Sequence, residues 1–368
     1  MSDTVTGILK KEKNNTTFLR SLENSLRKSP KDVYVSPGLI RKYKLVEGAR
    51  VTGPVSVQGR QIKLEGVTEI CGVSPLDYAK RTPFDRLVAI DPNERFNLGA
   101  CGLPEMRIVD LVAPIGKGTR GLIVSPPKAG KTIMLKQIAN AVNFERPDAR
   151  VIVLLIDERP EEVTYFKREV NATVIASTID QDSKQHLELS ELMLANIRCE
   201  LECGRDVVLL VDSLTRMGRS FNLSNSSRGG RTMSGGLDSK ALQIPRQFFG
   251  LARNIEGGGS VTIVATCLVY TGSRMDQMIF EEFKGTGNSE LVLDRNLSQL
   301  RLFPAIDIAA SGTRKEEKLY SEADSHKIAT MRKVLSSCSQ KEMISQMLSL
   351  MRKFPTNEEF LANIPNSQ

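Results

Sequence analysis

Residues 125–132 read Ser-Pro-Pro-Lys-Ala-Gly-Lys-Thr, and they join an apolar, strand-like run, Gly121 to Val124, to a helix-like run, Thr132 to Val142. A loop in that setting, turning tightly with backbone N–H groups aimed inward and ending in Lys and a hydroxyl, suits oxyanions. The Lys reaches terminal phosphates and the hydroxyl reaches Mg²⁺. Lys131 and Thr132 occupy those two places. The strict pattern has Gly where this chain has Ser125, so the first turn cannot rest on glycine flexibility; Pro126 and Pro127 pre-set it instead. The competing reading is a Pro-rich surface turn that happens to precede Gly-Lys-Thr, and the rest of the chain weighs against it.

From about Arg107, aliphatic runs of five to nine residues alternate with longer amphipathic segments, the pattern of a parallel sheet with crossover helices. Three runs end in chemistry: Val124 enters the loop above, Ile156 enters Asp157-Glu158-Arg159-Pro160, and Val211 enters Asp212-Ser213. Ligands of open α/β sheets gather at the carboxyl ends of strands. Nucleotide hydrolysis needs a phosphate loop, an acid after an apolar strand for the Mg²⁺ shell and a second carboxylate to orient water. Asp212 takes the metal role, partly through water, and Glu158 the water role. Either acid alone could be a helix cap or a surface carboxylate; together they favour chemistry. Positive charge for the departing phosphate is offered by Arg159, Arg216, Arg219 and Arg314, one of which could act across a subunit boundary, although an exposed Arg is more often a solvated surface group.

At 368 residues, with 26% charged and 40% apolar residues, the chain suits a globular protein of two domains. Its net charge of +8 is concentrated at the start, where residues 1–50 hold eleven Lys/Arg against five Asp/Glu. Such a local excess suits a polyanion or a merely solvated face. The six cysteines (71, 101, 199, 203, 267 and 338) show no C-x-x-C spacing, and with only His186 and His326 to join them no zinc site is readable. Cys199 and Cys203, one helical turn apart in an apolar segment, read as buried thiols. The longest aliphatic runs fall far below the ~18–20 residues of a bilayer span, and the polar start lacks a signal-peptide core. A soluble, cytoplasmic protein with reduced thiols and no membrane partner is expected.

Residues 1–75 carry short alternating segments (33–35, 50–57, 61–67) broken by Gly, Pro and Asn, which predicts a small β-barrel. Residues 76–106, rich in Pro, read as a connector, and 107–368 as the α/β unit with a C-terminal helical cap over 328–335 and 342–351. Two further glycine-bearing segments, Ser234-Gly235-Gly236 and Phe283-Lys284-Gly285-Thr286-Gly287-Asn288, match no second phosphate loop; they are either routine turns or flexible basic loops suited to a moving phosphate chain.

Taken together, Ser125 to Thr132, Leu154 to Val163 (Leu-Leu-Ile-Asp-Glu-Arg-Pro-Glu-Glu-Val), Asp212 to Arg216, Ser234 to Leu242 and Glu281 to Asn288 (Glu-Glu-Phe-Lys-Gly-Thr-Gly-Asn) resemble the Rho family of transcription termination factors, from about Asp32 to Glu317 and more loosely beyond. The resemblance implies an α/β RecA-like P-loop motor with an N-terminal OB-fold or cold-shock-like barrel. It implies an ATP- and Mg²⁺-using RNA helicase that works as a homohexamer on single-stranded RNA and on the RNA polymerase elongation complex. It further implies that the loop Ser125, Pro126, Pro127, Lys128, Ala129, Gly130, Lys131, Thr132 and Ile133 holds the nucleotide, with Lys128, Lys131 and Thr132 on the phosphates and Mg²⁺. Glu158 would activate water, Asp212 would belong to the metal shell, Phe303 would stack on adenine and Arg314 would be an arginine finger on the neighbour's ATP. Arg231, Ser234, Gly235 and Gly236, with Lys284, Gly285, Thr286 and Gly287, would line an RNA channel, Lys284 touching phosphate.

The chain also departs from that family. A helical bundle usually precedes the barrel, whereas Val5 to Leu9 already resembles the barrel's first strand, so the bundle is expected to be missing. Of two stacking aromatics in the next segment only Phe18 is kept, the other position being Thr16, and a later aromatic position is Gln61. Tyr34 is retained, and Arg20, Lys42 and Lys44 are expected phosphate contacts. Two alternatives stay open: a rotary or secretion-type ATPase subunit, against which Glu281 to Asn288 argues, and an RNA-stimulated or RNA-binding ring without a termination role.

Overall fold

The computed structural model describes residues 3–59, 61–226, 236–238 and 240–365. The N-terminal strands are β1 (Thr4–Lys11), β2 (Thr17–Arg20), β3 (Val33–Tyr34), β4 (Arg50–Gln58), β5 (Gln61–Leu64) and β6 (Glu69–Ile70). They run in the order β1-β2-β3-β5-β4-β6, and the β1–β4 pairing closes the first five into a barrel. Alternation along these strands sends Leu9, Leu19, Val33, Val51 and Leu64 inward, filling the small interior that a short five-stranded barrel leaves. The helix Pro37–Tyr43 starts on Ser36, whose hydroxyl accepts from Leu39 N–H, and carries exposed Lys42 with exposed Lys44 at its end.

The second sheet contains β7 (Ala89–Ile90), β8 (Arg120–Ser125), β9 (Arg150–Glu158), β10 (Thr173–Thr178), β11 (Val207–Asp212), β12 (Arg253–Ile255), β13 (Ser260–Leu268), β14 (Ser289–Val292) and β15 (Gly312–Thr313). Its main path is β10-β9-β11-β13-β8-β14-β15, parallel from β10 to β14. A parallel sheet covered on both faces needs apolar residues at every position. β9 meets that demand: Val151, Val153 and Leu155 enter one core, Ile152, Leu154 and Ile156 the other. The first core takes in the helix Lys131–Glu145 and the C-terminal helices Glu322–Leu335 and Gln340–Lys353, the second the helices Ser183–Glu202, Leu214–Ser226 and Arg274–Lys284.

The stretch expected as a connector is partly built into the motor, since β7 pairs with β12 and the helix Pro104–Val112 is almost wholly buried. The barrel is bound to the motor by more than this chain segment. Asn196 Nδ2 donates to Gly48 O at 2.8 Å, and Glu200 Oε1, wholly buried, accepts from Arg50 Nε at 2.8 Å and Arg150 Nη1 at 2.6 Å. Burying a carboxylate is costly unless it is paired; two guanidinium groups, one from each unit, supply the pairing. Among the described residues no helix is long and apolar enough to cross a membrane.

Candidate functional site

The strand-to-helix turn at residues 125–131 is shaped by its backbone. Lys128 and Gly130 have positive φ (66° and 98°), and the helix Lys131–Glu145 begins immediately after. A helix N-terminus behind a turn of this kind presents unpaired N–H groups to an anion. Ser125, where the strict motif has Gly, is buried and turns its Oγ onto Pro126 O at 2.9 Å, so its side chain is spent inside the turn. Lys128 and Ile133 are exposed, Ala129 is buried, and Pro127 and Thr132 line the surface of the turn. Phe303 is 44% exposed and its ring lies beside the turn, 3.9 Å from where a Cβ on Gly130 would stand.

Parallel neighbours bring the two acids to this turn. Asp212 ends β11 in register with Leu155 of β9, and Glu158 ends β9. Both carboxylates are wholly buried. Lys131 Nζ lies 2.7 and 2.6 Å from the two oxygens of Asp212 and 3.6 Å from Glu158 Oε1. Thr266, near the carboxyl end of β13, donates to Asp212 Oδ1 at 2.7 Å. Arg216 Nε stands 2.8 Å from Glu158 Oε1, and its Nη1 donates to Asp157 O at 2.9 Å. Neither Glu158 oxygen has an aligned hydrogen-bond donor. A buried carboxylate that accepts no aligned hydrogen bond keeps lone pairs to offer a water molecule. Burial first, and then Asp212, raise the Glu158 carboxyl to about 7 against the pull of Lys131 and Arg216. Burial works against the Lys131 ammonium, but Asp212 and Glu158 outweigh it and hold its pKa above the ordinary value.

Glu162 completes the acidic set. It lies in the first turn of the helix Pro160–Glu169, and its carboxylate comes within 4.8 Å of those of Glu158 and Asp212. Glu162 and Thr266 were not singled out from the sequence. The available signals were a second acid four residues after Glu158 and a hydroxyl interrupting a strand that both faces of the core require to be apolar. Arg159 is exposed at the start of the same helix and, among the described residues, forms no ion pair with these acids.

Arg314 stands elsewhere. It follows β15, which pairs with the beginning of β14, and its N–H donates to Asn288 O at 2.7 Å. Through Ser289 this end of β14 is level with Gly121 on β8, four residues before Ser125, so about 13 Å of strand separates it from the start of the phosphate turn. The Arg314 side chain is exposed there. The segment Lys284–Asn288 lies at the same end. Lys284, Gly285 and Thr286 are exposed, Lys284 Nζ sits 5.6 Å from the Phe280 ring, and Gly287 is packed against Arg120 O and Phe249. Gly236 is exposed, whereas Arg231, Ser234 and Gly235 lie outside the described residues.

On the barrel, Phe18 of β2 faces Tyr34 of β3 with ring centroids 5.9 Å apart at 66°. Phe18 lines a cleft of about 360 Å³ with Arg20, Lys28, Ser29, Asp32, Gln58 and Gln61. Arg20, expected as a phosphate contact, is already engaged by acids of the barrel. It is 5% exposed, its Nη1 donates to Asp32 Oδ2 at 2.5 Å, and its Nη2 is bound to Glu12. The sequence shows a basic residue; only the fold shows that two acids already hold it. Lys42 and Lys44 remain free to meet solvent.

Comparison with known proteins places this geometry. Residues 5–77 match the model of the Rho termination factor RNA-binding domain, and residues 105–313 that of the nucleotide-binding domain of the ATP synthase alpha/beta family. The transcription termination factor Rho of Karelsulcia muelleri is 44% identical over 95% of this chain and 94% of its own length. The chain belongs to the Rho family, with a motor of the ATP synthase alpha/beta family. A Rho of Streptobacillus moniliformis is 47% identical over 92% of this chain and 82% of its own. The longer Rho of Micrococcus luteus is 45% identical over 94% of this chain but only 52% of itself. A solved structure described as a prototypical ATPase from a type III secretion system superposes with a TM-score of 0.64 over 84% of this chain and 93% of that one, at 19% identity. That likeness is one of fold, and it places the secretion-type alternative on the shared motor rather than on a shared role.

Proposed function

We propose that this chain is an ATP-dependent transcription termination factor. As a homohexamer it draws single-stranded RNA through its ring by hydrolysing ATP, and so dissociates the RNA polymerase elongation complex. In this reading residues 1–75 form the RNA-reading barrel, 76–106 connect, and 107–368 are the motor. The observation that carries it is the convergence of Lys131, at the helix start after β8, with Glu158 and Asp212 at the carboxyl ends of the neighbouring strands β9 and β11, while Arg314 and the segment after Lys284 lie toward the opposite end.

The residues divide the work as follows. Backbone N–H groups of the turn, with Lys128 and Lys131, bind the phosphates, for which Lys131 would exchange its contact with Asp212. Phe303 stacks on the base. The Thr132 hydroxyl and Asp212, partly through water, would hold Mg²⁺, which when bound offsets charge on the phosphate oxygens. Glu158, shielded from solvent and raised to about 7, accepts a hydrogen bond from the attacking water and takes its proton. Arg216 fixes the Glu158 side chain, and Arg314 of the adjacent subunit supplies the charge for the transition state.

The test is ATP hydrolysis by purified protein with poly-C, poly-U, duplex DNA or no nucleic acid. Single-stranded RNA should stimulate turnover and duplex DNA should not; equal rates in all four would overturn RNA coupling and revive a rotary or secretion-type motor. Lys284→Ala should keep basal hydrolysis and lose most of the stimulation, as expected if Lys284 passes strand engagement to the catalytic interface.

A further inference from the structure

The barrel and the motor meet at a cluster of thiols that the phosphate chemistry does not use. Cys71 follows β6 of the barrel, while Cys199 and Cys203 stand at the end of the helix Ser183–Glu202 in the motor. Their three sulfur atoms lie within 4.8 Å of one another, and Cys71 Sγ and Cys199 Sγ are 3.5 Å apart. Three sulfurs at about 2.3 Å from one ion are about 3.8–4.0 Å apart, so shifts of about an ångström or less would close the set. Cys71 and Cys199 are buried and Cys203 is partly exposed, leaving a way in on one side. Tyr78, wholly buried, places its hydroxyl 3.9 Å from Cys199 Sγ.

The surroundings suit an anionic thiolate complex. Guanidinium atoms of Arg50 and Arg205 lie 3.3 Å from a Cβ position on Gly72, the residue after Cys71, and Arg205 Nε is buried without a hydrogen-bond acceptor. Glu200, between the two helical cysteines in sequence, is wholly buried and has one oxygen, Oε2, without a donor. Cysteine binds a metal as the thiolate, so an incoming cation would displace the thiol protons.

We propose that Cys71, Cys199 and Cys203 form a site for a soft d¹⁰ cation that fastens the barrel to the motor. Thiolate sulfur selects Cu(I) and Zn²⁺ over hard divalent ions. Three thiolates satisfy trigonal Cu(I); Zn²⁺ would draw a fourth ligand from water on the Cys203 side. The site joins a barrel strand end to a motor helix end, so filling it would restrict movement of the RNA-reading unit against the ATPase.

The experiment uses the full chain, reduced and handled without oxygen, and offered Zn²⁺, Co²⁺ as its spectroscopic substitute, or Cu(I). Metal retained through gel filtration is measured together with proton release. One equivalent of Cu(I), or of Zn²⁺ and Co²⁺, should be retained, with a thermal unfolding midpoint higher than that of the metal-free chain. Cobalt, if retained, should show thiolate charge-transfer absorbance of three Co–S bonds. Cys71→Ser, Cys199→Ser and Cys203→Ser should each lose stoichiometric retention, whereas Cys101→Ser and Cys338→Ser should keep it. Failure of the reduced wild-type chain to retain any of the three metals would overturn the site without reference to the variants. So would retention unchanged in Cys71→Ser, or cobalt absorbance of fewer than three thiolates.

Discussion

The motor and the barrel hold their functional groups by different means. In the motor, Lys131, Glu158, Asp212 and Thr266 come from different strands and one helix, yet the parallel register fixes them within hydrogen-bond or ion-pair reach. Moving either acid or Thr266 would mean moving a strand buried on both faces. In the barrel, the aromatic pair Phe18 and Tyr34 and the cleft residues Gln58 and Gln61 sit on the outside of short strands, where one substitution removes one contact and leaves the fold alone. Topology protects the motor's chemistry, whereas the barrel's recognition is written in side chains that can drift singly.

The largest effect that this contrast predicts is for Lys131→Ala. It removes the only described cation within salt-bridge reach of Asp212, as well as the phosphate ligand, so ATP hydrolysis should fall to background and ATP binding should weaken. Turnover within tenfold of wild type would show that the strand ends do not form the phosphate site. Arg314→Ala should assemble and bind ATP yet hydrolyse it roughly a thousandfold more slowly. Mixed with Lys131→Ala protomers it should regain part of the activity, since some interfaces then pair an intact turn with an intact finger. No recovery in rings shown to be mixed would argue that Arg314 works within its own chain.

Glu158→Gln should leave nucleotide affinity near normal and lower turnover by roughly a hundredfold or more. It has a second readout in the nucleotide-free chain. The Glu158 carboxyl, raised to about 7 from 4.5, is protonated more readily in the folded state, so its contribution to stability is complete below about pH 4.5 and is lost as pH rises through 7. Gln keeps the neutral form at every pH. Denaturation at a series of pH values should show the variant gaining on wild type by on the order of 3 kcal/mol between pH 5 and pH 8. A difference that stays flat across that range would mean that Glu158 titrates normally.

The smallest predicted effect belongs to the barrel. Thr16→Phe should strengthen binding of single-stranded RNA by about 1–3 kcal/mol through one added base stack. It should also make that binding less sensitive to salt, because charge contacts such as those of Lys42 and Lys44 weaken with salt at a slope near −0.7 per phosphate while stacking does not. Tight, salt-resistant binding by the unmodified chain, unchanged in the variant, would show that Phe18 and Tyr34 suffice.

The motor was legible in the sequence because its signals are local. The run into Ser125–Thr132, the acid after Ile156 and the acid after Val211 each announce a strand end, and the structure places all three at one edge. What could not be read depended on distant residues. Arg20 looks like any surface Arg until Glu12 and Asp32 are folded against it. Cys71 lies 128 positions before Cys199, and only the docking of barrel on helix makes them neighbours. Glu162 and Thr266 gain meaning from the carboxylates they meet, which neither a helix turn nor an apolar strand reveals by itself.

Asn288 ties together what the proposed function assigns to two different partners. Its carbonyl accepts from Arg314 N–H, its side chain accepts from Arg120 N–H at 2.8 Å, and its own N–H donates to Arg120 O at 2.9 Å. It is also the last residue of the segment that begins at Lys284. A displacement of that segment that reaches Asn288 is thus passed directly to the Arg314 backbone. On the proposed function, one subunit's grip on the strand would then time its neighbour's hydrolysis, a clockwork in which the escapement and the hand turn on one pin.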